Sequence, residues 1–272
     1  MTDTPTSAEA LTADDFYAEL TTRNRGLIPE SAQLALGKAR VLVAGCGSTG
    51  GAAVEPLVRL GVRDFVLAEP GEYELNNLNR QHARLSDLGR NKAEVSAELA
   101  RSVNPHARVE VYTDGVQAEN VAALLDGVDV VVDGVDVTTI GGWRAKFQLH
   151  AEAARRAVPV VSGYDMSGTQ FIRYYDYRQD PTPLAGRVTA EQLEAEEVWD
   201  LLLRIIPREL VPLDLVEDIR AHRSDPDYSV PQLVYTSHLF GVLAARYTVA
   251  VLAGVPVRAE LTVDVHALVA AS

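Results

Sequence analysis

Cysteine is nearly absent from this chain. Of 272 residues a single one, Cys46, is a cysteine, which excludes an internal disulfide and any cysteine-based zinc knuckle, so no zinc is expected. Basic residues are in deficit: 25 Lys and Arg stand against 38 Asp and Glu, a formal net charge of −13. That balance argues against a sequence-independent grip on phosphate backbones, and no nucleic-acid partner is expected. A local basic pocket stays open, because Arg80, Arg84, Arg90 and Lys92 lie close together. Long uninterrupted apolar runs are missing too. The one membrane suspect, 233–257, is interrupted by His238, Gly241, Arg246 and Gly254 and reads as a buried or interface helix. The first 14 residues are polar and acidic with no basic start and apolar core, so no secretory signal is read and the cytoplasm is the expected compartment. There is no repeat and no low-complexity tract.

What is present starts at 41–51, VLVAGCGSTGG. A short β-branched apolar run reads as a buried strand, and it empties into a G-x-G-x-x-G turn that opens a helix over 49–60. In that order the glycines have a mechanism. Gly45 allows the tight turn, Gly47 lets the backbone approach a phosphate, and Gly50 lets helix and strand pack closely. The helix start then favours an anion. The other reading is a tight strand–helix turn with no ligand.

Alternation continues along the chain. Strands are expected at 64–68, 108–113, 128–132 and 158–162, with helices opening near Lys92 and spanning 118–125 and 138–157. The apolar strand 128–132 should be central and parallel. After 162 the pattern changes: 170–177 suits an antiparallel edge strand, helices are expected over 190–206, 212–220 and 231–253, and a last strand over 257–265. The fold class is α/β, a Rossmann-like doubly wound, mostly parallel sheet extended by antiparallel strands. The expected organisation is a helical arm (1–22), a nucleotide-binding core (23–177), an acidic helical insertion or lid (178–231), and a helix and strand (232–272) completing the same domain. Segment 1–12 is expected to be disordered.

Candidate site residues fall at strand ends. Glu69 closes the second strand, 24 residues past Gly45, where such folds keep an acid for the ribose hydroxyls; it is otherwise a solvated strand-end carboxylate. Asn77, Arg80 and Gln81 sit in the polar run LNNLNRQ, and amides with an arginine suit a phosphate chain. Lys92, at a helix start, suits a phosphate as a compact charge, or is a surface cation. Asp133 and Asp136 follow the fourth strand and are placed to hold magnesium; Asp136 alternatively caps the next helix. Gly141-Gly142 weakens that helix start and reads as a mobile loop. Arg23 and Arg25 precede the first strand, and His222 and Arg223 are isolated.

With the glycine loop, Asn77-Leu78-Asn79-Arg80-Gln81, Lys92 and Asp136 in order, the chain resembles the ubiquitin-activating-enzyme-like superfamily, in its ThiF, MoeB and HesA-type group of bacterial adenylating enzymes. The resemblance covers about 23–177 and, more loosely, 233–253. It implies an enzyme that binds ATP and Mg2+, transfers AMP to a carboxylate of a small protein, peptide or small molecule, and releases pyrophosphate. It implies that Gly45, Gly47 and Gly50 approach the nucleotide and Glu69 holds the ribose. Asn77, Arg80, Gln81 and Lys92 would bind and polarise the phosphates, and Asp136 would coordinate magnesium. It implies a homodimer in which Arg23, with Arg25 close behind, reaches the partner's ATP. The departures are a glutamate at 69, Gly71 in place of a second acid, and Val135-Asp136-Val137 around the metal aspartate. Cys46 lies inside the glycine loop, so no thioester-forming cysteine is expected. The alternatives are a non-catalytic scaffold that kept the fold, and a nicotinamide-dependent oxidoreductase, which would leave Arg80, Gln81 and Lys92 without a role.

Overall fold

The computed structural model describes residues 10–222, 225 and 228–271; Arg223 and the expectation of disorder over 1–9 lie outside them. Seven strands build one sheet: β1 (Arg40–Ala44), β2 (Asp64–Ala68), β3 (Arg108–Tyr112), β4 (Val130–Asp133), β5 (Val160–Met166), β6 (Thr169–Tyr175) and β7 (Glu260–Asp264). Their order is β3-β2-β1-β4-β5-β6-β7. The first five are parallel, and β6 and β7 add on antiparallel. This is the expected mixed, mostly parallel sheet.

Helices cover both faces. They are α1 (Ala13–Leu20), α2 (Glu30–Lys38), α3 (Ser48–Leu60), α4 (Lys92–Val103), α5 (Val121–Leu124), α6 (Ile140–Arg155), α7 (Ala190–Ala195), α8 (Val198–Ile205), α9 (Leu213–His222), α10 (Val234–Leu252) and α11 (Val265–Val269). Two layers of core result. On one face Leu57 and Val58 of α3, Ala93 and Ala97 of α4 and Phe240 of α10 pack on alternate strand residues such as Val41, Val43 and Phe65. On the other, Trp143 and Leu149 of α6 pack on Leu42, Val66 and Val131 with Leu201 and Ile205 of α8. Burial on both faces is why β1, β2 and β4 read as continuous apolar runs rather than alternating ones. The former membrane suspect is α10, whose buried residues lie against α3 and the sheet. Among the described residues no helix is long and apolar enough to cross a membrane.

Four expectations are corrected. Strand β5 does not stop at Ser162 but runs through Gly163 to Met166, because β6 pairs with it along that length, Val160 with Tyr175 to Met166 with Thr169. Strand β6 is not an edge: all seven residues are buried, and β7 covers its far side with Arg173 ion-paired to Glu260. The helix expected over 190–206 is two helices. Glu196 leaves helical geometry (φ −113°, ψ 153°), and its carboxylate takes a bidentate pair from Arg204, 2.6 Å on each oxygen. The helix expected over 118–125 shrinks to α5, because Asn120 spends its side chain on a turn, accepting from Gln117 N (2.9 Å) and donating to Gly115 O (2.9 Å).

Candidate active site

The sheet reverses its winding between β1 and β4, and in such sheets ligands bind beyond the carboxyl ends of the strands at that point. The crevice floor is interlocked backbone. Gly45 (φ +82°) presses on Gly134, and Gly134 presses on Gly50 so closely that a Cβ on any of the three would strike its neighbour's main chain. Gly47 instead faces open space, with only Gln81 Oε1 at 4.0 Å from where its Cβ would stand. It is the N-cap of α3 and supplies no side chain to the first-turn amides, which leaves that helix start receptive to an anion.

Glu69 lies at the Cys46 end of this loop. Its carboxylate accepts from Cys46 N and from Gly71 N, both at 2.8 Å. Burial pushes its carboxyl above the usual range; the Gly71 amide, the Lys92 ammonium and the Cys46 amide pull against that rise, and Asp136 adds to it. Lys92 is delivered by α4, whose N-cap Asn91 accepts from Ala93 N (2.9 Å) and donates to Glu69 O (2.9 Å). A Cβ on Gly71 would stand 2.8 Å from Glu69 Oε1 and 3.5 Å from Lys92 Nζ, so a side chain there would have to shift the ends of these two flexible side chains. Cys46 is fully buried, and burial first, then Glu69, raises its thiol well above normal. That is the opposite of a reactive thiolate.

Arg80 lies at the Ser48 end. The turn Leu75–Asn79 is capped by Glu74 and Asn77, so Asn77 is buried within its own turn, accepting from Glu74 N (3.1 Å) and donating to Asn76 (2.7 Å). Arg80 NH1 is held by Asn76 O (3.0 Å) and Asn79 Oδ1 (2.7 Å), and its Nε donates to Gln232 Oε1 at 2.6 Å. Gln81 Oε1 is buried with no hydrogen-bond partner, facing the glycine loop. Behind Arg80 stands Asp165, at the far end of β5. One of its oxygens accepts from Thr49 and Ser237 hydroxyls, both at 3.2 Å, and the other is buried without a partner. Burial pushes its carboxyl up to about 6, against those hydroxyls and Arg80.

Asp136 is exposed at the rim, and its oxygens accept from Thr138 N (2.8 Å) and Thr138 Oγ1 (3.0 Å). Thr139, not Asp136, is the N-cap of α6. Gly142 is a packing requirement, because its Cβ would coincide with Asp136 O. Each Asp136 oxygen keeps lone-pair capacity, which suits Mg2+, an ion held by one or two carboxylates plus phosphates. Among the described residues no group of three His, Cys, Asp or Glu is arranged for a metal.

Asp133 is not at the rim. It is fully buried with Lys146, His150 and Ser162. Its Oδ2 receives Lys146 Nζ, Ser162 Oγ (2.6 Å) and His150 Nε2 (3.0 Å), and Oδ1 accepts from Val135 N at 3.1 Å. Burial alone would raise this carboxyl; Lys146 and His150 reverse it, and the net shift is well downward. Burial lowers His150, partly offset by Asp133, which favours the neutral imidazole. Tyr177 OH then donates to Nδ1 (2.6 Å) and accepts from Leu184 N (3.0 Å). The network steadies the loop bearing Asp136. Its signal in the sequence was Lys146 and His150, four apart on the apolar stripe of Trp143 and Leu149. Arg23 is not brought to this site within its own chain. Its neighbour Asn24 bonds Leu60 O, at the opposite end of the 13-residue α3, about 18 Å from Ser48. His222 is exposed and stacked on Tyr228.

Comparison with known proteins places this geometry. The sequence profile of the ThiF family matches residues 21–265. The tRNA threonylcarbamoyladenosine dehydratase of Escherichia coli is 36% identical over 137 residues, 50% of this chain and 50% of that protein. The SAMP-activating enzyme E1 of Haloferax volcanii is 37% identical over 94 residues, 34% of this chain and 35% of that one. The matched region spans no more than half the length of such curated relatives. The E. coli dehydratase TcdA solved with ATP superimposes with a TM-score of 0.63 at 23% identity, covering 90% of this chain and 98% of that one.

Proposed function

The chain belongs to the ThiF family, and from that premise we propose that it is an ATP-dependent adenylyltransferase that activates a carboxylate as an acyl-adenylate. A carboxylate oxygen of the substrate attacks the α-phosphorus of ATP, the bond from that phosphorus to the β-bridging oxygen breaks, and pyrophosphate leaves with the electron pair. Attack brings negative charge onto a negative centre, so the help required is electrostatic rather than covalent. One observation carries the reading: the glycine loop is flanked by Glu69 with Lys92 at its Cys46 end and by Arg80 at its Ser48 end. Glu69 would take the ribose hydroxyls while still bound to Cys46 N, and Gly47 would admit the phosphates. Lys92 and Arg80 would neutralise the developing charge. Asn77 holds the turn that aims Arg80, and the unpartnered Gln81 oxygen is available to an ordered water or a ligand donor. Asp136 would hold Mg2+, which supplies charge neutralisation on the polyphosphate.

The substrate class is a carboxylate on a small protein, a peptide or a small molecule, and the likeness to an activating enzyme E1 supports the first two by analogy. The remoteness of Arg23 from its own site supports action across a homodimer. The nicotinamide alternative would use Glu69 and bring a pyrophosphate to the loop, but hydride transfer develops no charge on phosphate for Lys92 and Arg80 to neutralise.

The test is exchange of labelled pyrophosphate into ATP in the presence of a pool of peptides with free C-termini. Wild type supports exchange and Asp136→Ala loses it while remaining folded. Mixed dimers of Asp136→Ala with Arg23→Ala chains regain part of it if Arg23 acts on the partner. Undiminished exchange by Asp136→Ala would remove that residue from the metal site.

A further inference from the structure

The stretch 228–233 leads out of the acidic segment into α10, and Gln232 reaches from it to the start of α3. Its Oε1 accepts from Arg80 Nε at 2.6 Å and from Ser48 Oγ at 3.2 Å. Its main-chain oxygen accepts from Asn79 Nδ2 at 3.3 Å. Two oxygens of one residue thus satisfy three donors from the glycine-loop helix and the Arg80 turn. These positions are separated by more than 150 residues in sequence, so the contact is purely tertiary. A neutral amide oxygen between a guanidinium and a hydroxyl, at a helix start with no side-chain cap, occupies a position better suited to an anionic oxygen.

We propose that Gln232 stands in for a phosphate oxygen and competes with a nucleotide's polyphosphate for Arg80 and Ser48. This rests on the nucleotide reading of the site. A phosphate oxygen adds a full opposite charge and a second, bidentate bond where the amide oxygen offers a single neutral acceptor, so a phosphate displaces the amide. Until it does, only the fraction of molecules with Gln232 withdrawn is competent, and the apparent affinity is reduced by that fraction. The device makes Gln232 a selectivity element. It lowers the apparent affinity of ligands whose anionic group must displace it from Arg80, leaves ligands without such a group unaffected, and releases 228–233 from α3 when a polyphosphate arrives.

The test is calorimetric titration of the full chain with Mg-ATP, inorganic tripolyphosphate and adenosine. Gln232→Ala tightens ATP and tripolyphosphate by about three- to tenfold and leaves adenosine unchanged. Gln232→Glu, which pairs Arg80 by charge, weakens both anions by about tenfold or more. The gain from Gln232→Ala disappears in an Arg80→Ala background, the signature of coupling through that guanidinium. Unchanged or weaker ATP and tripolyphosphate binding by Gln232→Ala, with wild type binding ATP, overturns the proposal and leaves the nucleotide site standing. Failure of wild type and Gln232→Ala alike to bind ATP overturns both.

Discussion

Two aspartates stand on neighbouring strands of the sheet; burial raises both carboxyls, and their partners then leave them on opposite sides of the usual range. Asp133, closing β4, is surrounded by an ammonium, an imidazole, a hydroxyl and a backbone amide, and its carboxyl is held well below the usual range. Asp165, near the end of β5, has two hydroxyls on one oxygen and nothing on the other, and its carboxyl is pushed up to about 6. The same residue type is architecture in one place and a responsive element in the other. What differs is whether the chain supplied a counter-charge within hydrogen-bond reach. Lys146 does so for Asp133, whereas Arg80, which faces Asp165, is drawn away to Gln232 and the Asn76–Asn79 turn.

That contrast can be broken from its strong side first. Lys146→Met strands a buried carboxylate and should cost about 3–5 kcal/mol in chemical denaturation at neutral pH. A loss near zero would mean that Asp133 is not ionised, and the contrast would vanish. Asp165→Asn should act in the other direction. The Asp165 carboxyl has a folded pKa above its unfolded value, so its favourable protonated state is complete below about pH 4 and is lost as pH rises through about 6. Above that, the ionised group is a penalty, and Asp165→Asn should be more stable than wild type by up to about 2 kcal/mol at pH 8, with the difference closing toward pH 4. Parallel stability profiles for the two proteins across that window would contradict the assignment. The smallest effect belongs to Tyr177→Phe. It removes the donor to His150 Nδ1 and should cost about 1–2 kcal/mol, read as a fall in thermal midpoint, without altering nucleotide affinity.

The same contrast explains what could be read from the sequence. Strands β1, β2 and β4 and the glycine loop were legible because a buried parallel strand followed by G-x-G-x-x-G leaves few conformations open. Glu69, Arg80, Lys92 and Asp136 were legible as residues, and the chain gathers the first three around the loop while Asp136 stays at the rim. The interior position of β6 was not legible, because a run rich in aromatic and branched residues looks alike whether or not a later strand covers it, and β7 is 85 residues further on. Asp133 read as a second metal candidate because its counter-charge, Lys146, looked like an ordinary helix cation. Gln232 had no local signature; its meaning comes only from meeting Ser48 and Arg80. Gly71 read as a lost acid, and its backbone amide donating to Glu69 is a contact that no sequence pattern announces.

The central claim is that the crevice between β1 and β4 is an ATP site flanked by Arg80 and Lys92. The most direct measurement is calorimetric binding of Mg-ATP and of NAD+ to the purified chain and to Lys92→Ala. The account predicts binding of ATP in preference to NAD+, weakened at least tenfold by Lys92→Ala with the fold intact. Preference for NAD+, or ATP affinity indifferent to Lys92, would contradict it.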